Sequence, residues 1–69
     1  MPFVNIRLTG GDEAPTREQK AELIKGVTDL LVRVLNKNPA NLVVIIDEIE
    51  KDNYGIGGVT ITELRKKSS

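Results

Sequence analysis

Leu42-Val43-Val44-Ile45-Ile46 is apolar without a break and without alternation. Such a run reads as a strand covered on both faces. Upstream, Val4, Ile6 and Leu8 alternate with Asn5 and Arg7, the period of a strand buried on one face. Between the two runs, Leu23, Ile24, Val27, Leu30, Leu31, Val34 and Leu35 recur every three or four residues and draw one apolar stripe along a helix. Strands joined by a long helical connection pair in parallel through a right-handed crossover. One helix covers only one face of a two-stranded sheet, so the second face of Leu42–Ile46 needs another chain. The sequence therefore predicts an obligate oligomer.

Thr16 opens the helix in the pattern Thr-x-x-Gln, with Gln19 at the third helical position and Glu18 near the positive end of the dipole. Thr9 to Pro15 is expected as a loop, and Asn36 to Asn41 end the helix because Pro39 blocks its continuation. Asp52 to Gly58 is dense in residues that tolerate positive φ. Val59-Thr60-Ile61-Thr62 is expected as a last short strand that pairs across a subunit boundary, and Arg65 to Ser69 as a loose polar tail.

The chain has 69 residues, expected as a single domain over 1–69, and domains this small are marginally stable alone. It has no cysteine and no histidine, which rules out disulfides and argues against structural zinc. Ten basic and ten acidic side chains cancel, so no nucleic-acid footprint is present. No membrane span or signal peptide is visible. The expectation is a cytoplasmic protein with no nucleic-acid or membrane partner.

Pro2 stands at the head of the first strand, and a small residue after Met1 is the setting in which that methionine is trimmed. Trimming would leave Pro2 with a secondary amine, a candidate general base or nucleophile. A pyrrolidine nitrogen is more basic than an ordinary α-amine, so the site must lower its pKa by apolar burial or a neighbouring cation. Phe3, Tyr54 and Ile56 are candidate apolar walls. A second-position proline also suits processing and the start of a strand. Tyr54-Gly55-Ile56-Gly57-Gly58 lacks the features of a P-loop or dinucleotide fingerprint and reads as a tight hairpin turn. Asp47, Glu48, Glu50, Lys51 and Asp52 read as a solvated strand end, and Arg7 and Arg33 as solvent-facing arginines able to orient a carboxylate.

Taken in order, Met1-Pro2 before a strand, Glu18-Gln19-Lys20, Leu23-Ile24, Val27-Thr28, Val44-Ile45-Ile46-Asp47-Glu48 and Asn53-Tyr54-Gly55-Ile56-Gly57-Gly58 resemble the 4-oxalocrotonate tautomerase family across nearly the whole chain. The resemblance implies an α+β fold: a β-α-β unit with parallel strands, one long helix and a short C-terminal hairpin or strand, assembled as a trimer of dimers. It implies an isomerase in which Met1 is removed and Pro2 is the catalytic base, moving a proton between the 2-hydroxy region and a carbon of an unsaturated 2-oxo acid. No metal or organic cofactor is implied.

Two departures stand out. The family's best-known members hold substrate with two arginines, at positions matched here by Pro15 and Val43, and the loop before the helix is longer. Tyr54 and Ile56 match the family's apolar wall, while Thr9 stands where an apolar residue is usual. The expected substrate-binding residues are thus Thr9, Val43, Tyr54 and Ile56, with Arg7, Arg33 and Lys37 as candidates to replace an arginine. Two other readings accompany this one: a proline-assisted hydratase or dehalogenase-like enzyme, and a structural or binding hexamer without useful catalysis.

Overall fold

In a computed structural model describing residues 2–36 and 38–68, β1 (Phe3–Thr9) and β2 (Val43–Ile49) pair in parallel and are joined by α1 (Arg17–Leu35). The register runs without a slip from Phe3 opposite Val43 to Thr9 opposite Ile49. Val4, Ile6 and Leu8 are half-buried while Phe3, Asn5 and Arg7 are exposed, as the alternation requires. Lys20 of α1 reaches Glu48 Oε1 at 2.7 Å, which places the helix over the face carrying Val44, Ile46 and Glu48. The opposite face carries Phe3, Asn5 and Arg7 beside Val43, Ile45 and Asp47. Asp47 and Glu48 lie near the end of β2, which runs on past the apolar residues to Ile49; Glu48 is exposed and Asp47 half-buried beside Arg7 at 3.9 Å.

The helix begins as its sequence demands. Gln19 N–H donates to Thr16 Oγ1 at 3.1 Å, and Thr16 N–H donates to Gln19 Oε1 at 2.8 Å. It ends at Leu35, where Asn36 adopts the left-handed conformation (φ 53°) and donates its N–H to the Val32 carbonyl. A 3₁₀ turn at Pro39–Asn41 then leads into β2.

After a 3₁₀ turn at Lys51–Asn53, the chain forms a hairpin of β3 (Gly55–Ile56) and β4 (Val59–Thr60). Gly57 and Gly58 both have positive φ, 61° and 85°, as a two-residue turn between twisted strands requires. Gly55 serves a different need: a Cβ there would lie 2.4 Å from the Val59 carbonyl oxygen.

The C-terminus departs from expectation. Ile61 and Thr62 leave the sheet, and α2 (Ile61–Ser68) replaces both the end of the expected strand and most of the expected loose tail. Thr60 Oγ1 accepts from Glu63 N–H at 3.3 Å, Glu63 sits in the first turn, and Arg65, Lys66 and Lys67 occupy the last, so caps and charges favour a helix. Ile61 is 2% exposed, and its N–H donates to the Tyr54 carbonyl at 3.0 Å.

Among the described residues Ile61 is the buried hydrophobe, whereas Phe3, Leu30, Val34, Leu35 and Ile56 lie open. The accessible surface is 5282 Å², against about 4300 Å² for a compact monomer of this mass. The radius of gyration is 15.5 Å, where a compact chain of this length has about 11 Å. Taken alone, the described residues pack their elements around little more than Ile61.

Candidate active site

β1 sets the spacing of Pro2 and Thr9. Pro2 precedes its first residue, and the Pro2 carbonyl accepts a hydrogen bond from Val43 N–H at 3.0 Å, so Pro2 and Val43 share one end of the sheet. Pro2 is half-buried and followed by the exposed Phe3. Thr9 is the last residue of β1, at the far end. Seven residue steps at strand rise separate Pro2 from Thr9 by about 23 Å.

At that far end Tyr54 comes back over the sheet, and its hydroxyl is hydrogen-bonded to Thr9 Oγ1. Arg7, Thr9, Glu48, Ile49, Asn53 and Tyr54 line an open pocket of about 530 Å³. Ile56 projects from the hairpin, 67% exposed. One chain therefore brings Thr9 and Tyr54 together, brings Pro2 and Val43 together, and keeps the two pairs apart.

Pro15 lies in a second open groove of about 660 Å³ with Leu8, Thr9, Leu23, Gly26 and Val27. This groove joins residues of β1 to one flank of α1. Among the described residues the sheet order is β1-β2, so β1 has β2 on one side and an unpaired edge on the other.

The loop before α1 carries Asp12 and Glu13, and an ion cluster holds it to the C-terminal half. Lys51 Nζ is hydrogen-bonded to Asp12 and lies 3.4 Å from Glu13 Oε2. Arg65 grips Glu13 with Nε at 2.8 Å and Nη2 at 3.3 Å. The Lys51 hydrogen bond pulls Asp12 below the usual carboxylate range, and the Arg65 hydrogen bond does the same to Glu13. The carboxylates in turn hold Lys51 and Arg65 above their ordinary values, led by Asp12 for Lys51 and Glu13 for Arg65. Reading the C-terminus as a loose tail concealed this role of Arg65.

Of the candidates to replace an arginine, Arg7 lines the pocket with Tyr54 and lies beside Asp47. Arg33 is in the last turn of α1, which the crossover topology sets at the Pro2 end of the sheet. Lys37 and Met1 lie outside the described residues.

Comparison with known proteins fixes the class. The model of the tautomerase family, described as tautomerase enzyme, matches residues 2–64. A "probable tautomerase K2" of Dickeya dadantii is 61% identical over 69 residues, covering all of both chains. The crystal structure of DmpI from Helicobacter pylori superposes with a TM-score of 0.81 at 55% identity, over 94% of this chain and 97% of that one. A heterohexamer 4-oxalocrotonate tautomerase from Chloroflexus aurantiacus has a TM-score of 0.77 at 28% identity, over 94% of this chain and all of that one. The chain belongs to the tautomerase family, whose members are isomerases that interconvert keto and enol forms.

Proposed function

We propose that this protein is a 4-oxalocrotonate-type tautomerase in which Pro2 is the general base for enol–keto proton transfer in an unsaturated 2-oxo acid. The observation that carries the reading is the family match beginning at residue 2, with Pro2 leading directly into β1. Removal of Met1 frees the Pro2 amine. Held uncharged, it takes the proton of the 2-hydroxy group and returns a proton to a carbon of the dienolate. Donors aimed at the 2-oxo oxygen stabilise the charge that develops there.

The single chain keeps Pro2 from Tyr54, so the working centre is composite. The unpaired edge of β1 and the apolar flank of α1 beside it offer a surface for a second copy. A two-fold axis near the middle of β1 pairs the strands antiparallel. It sets Pro2 of one chain beside Thr9 and Tyr54 of the other. Further copies cover the remaining apolar surface as a homohexamer, a trimer of dimers, in line with the excess exposure and the large radius of gyration. Each subunit is a single tautomerase unit over 1–69, and its cysteine-free sequence suits a reducing cytoplasm.

Thr9, Val43, Tyr54 and Ile56 line the composite site. Val43 and Pro15 supply no cation, so a second substrate carboxylate meets a largely apolar wall and costs desolvation. A monocarboxylate 2-oxo acid is the better substrate.

The test is ketonisation of a simple 2-hydroxydienoate by the purified protein beside Pro2→Ala. Turnover that collapses in the variant is the expected result, and equal rates in the two proteins would refute the assignment. A 2-hydroxydienedioate compared in the same assay is expected to give the lower kcat/KM.

A further inference from the structure

The structure gives the Tyr54 phenol one defined partner, and both members of the pair are fixed through the backbone. Thr9 closes β1 opposite Ile49, and the next residue, Gly10, donates its N–H to the Ile49 carbonyl at 2.8 Å. The β-branched Thr9 side chain has few rotamers within a strand. Tyr54 is extended (φ −146°, ψ 160°), and its carbonyl accepts from the buried Ile61. The hydroxyl–hydroxyl bond between them is therefore built into the scaffold, at the wall of the 530 Å³ pocket.

Two hydroxyls that share one hydrogen bond leave one proton over. If Tyr54 donates to Thr9, the spare proton belongs to an alcohol. If Thr9 donates to Tyr54, it belongs to a phenol, the better donor to an oxygen gaining negative charge. A ligand oxyanion in the pocket selects the second arrangement, because each hydrogen bond in a chain polarises the next. Arg7 lines the same pocket.

We propose that Thr9 is a positioning residue whose hydroxyl donates to Tyr54 and aims the phenol proton at the 2-oxo oxygen of the substrate, making Tyr54 the donor at the centre that lacks both arginines. The inference rests on the tautomerase reading above. Tyr54 keeps its proton throughout: it gives a hydrogen bond to the dienolate oxygen, while Pro2 alone carries the transferred proton.

The chain contains one tyrosine and no tryptophan, so its near-ultraviolet absorption reports Tyr54 directly. The experiment combines kinetics on Thr9→Val, Thr9→Ser, Tyr54→Phe and the Thr9→Val/Tyr54→Phe double variant with near-ultraviolet difference spectra on adding 2-oxopentanoate. Tyr54→Phe is expected to lower kcat by about 10²-fold. Thr9→Val, which keeps the shape and removes the hydroxyl, is expected to lower kcat roughly tenfold with little change in KM, and Thr9→Ser to restore most of the loss. In the Tyr54→Phe background, Thr9→Val should cost nothing further.

The spectra separate the two claims. In Pro2→Ala, whose turnover is expected to collapse, 2-oxopentanoate should still shift the tyrosine band, and Thr9→Val should diminish the shift. If no protein turns over but the Thr9-dependent shift is present, the positioning stands and the tautomerase reading fails. Losses from Thr9→Val and Tyr54→Phe that simply add, a Thr9→Ser variant no better than Thr9→Val, or a band that ignores the ligand would each overturn the proposal.

Discussion

At the scale of the residue, the proposed chemistry depends on what Pro2 can do that other side chains here cannot. The chain contains no histidine and no cysteine, so the freed amine proposed at the head of β1 would be its distinctive base near neutral pH. Replacing it by alanine keeps a primary amine in place but loses the pyrrolidine's basicity and rigidity. Pro2→Ala is expected to lower kcat by about 10²–10⁴-fold, the range of a positioned general base, with circular dichroism unchanged. An intact mass without Met1 belongs to the same prediction, because a retained methionine turns the Pro2 nitrogen into an amide. The expectation of a site at Pro2 and Tyr54 came from their order in the sequence. The distance between them was not legible there, because a strand's length becomes a separation only once its register is fixed.

At the scale of the element, the two helix starts make an instructive pair. Thr16-x-x-Gln19 announced α1, and the structure closes that box from both sides. Thr60-x-x-Glu63 is the same kind of signal, but the β-branched residues Val59 to Thr62 pointed to a strand, and the cap won where the buried Ile61 anchors the first turn. The hairpin before it depends on Gly55. Gly55→Ala drives a Cβ into the Val59 carbonyl and is expected to destabilise the fold by roughly 1–3 kcal/mol, seen as a lower Tm.

The ion cluster between the first loop and α2 gives a pH signature. Asp12 and Glu13 have folded pKa values below their ordinary 3.8 and 4.5. Their contribution to stability is therefore present above those values and is lost as the pH falls through the folded ones. Lys51 has the opposite sign: its contribution is present below 10.5 and is lost as the pH rises through its raised value. Tm measured against pH should fall on the acid side, and Glu13→Gln should flatten that fall. Because Asp12 and Glu13 are exposed, added salt should shrink the difference between the two proteins.

At the scale of the whole molecule, the unbroken apolar run at Leu42–Ile46 already called for a second chain, and the surface left open by one copy agrees with it. The sequence could not say which surfaces meet, because apolar periodicity marks what must be covered and not by what. Val34 lies on α1 at 63% exposure. Val34→Lys places a charge on that surface and is expected to lower the assembly state in analytical ultracentrifugation. It should also make Tm depend more steeply on protein concentration. Wild-type protein that sediments as a monomer at micromolar concentration would contradict the assembly.

The composite centre is the claim on which residue, element and assembly converge, and subunit complementation tests it most directly. Pro2→Ala and Tyr54→Ala chains, each impaired alone, are unfolded together, refolded as a mixture and assayed for ketonisation. If Pro2 of one chain works against Tyr54 of another, each mixed pair contains one centre with both native residues, and activity must rise well above the average of the two parents. A mixture no more active than that average, with mixed assemblies confirmed by native mass spectrometry, would show that the centre is not shared between chains.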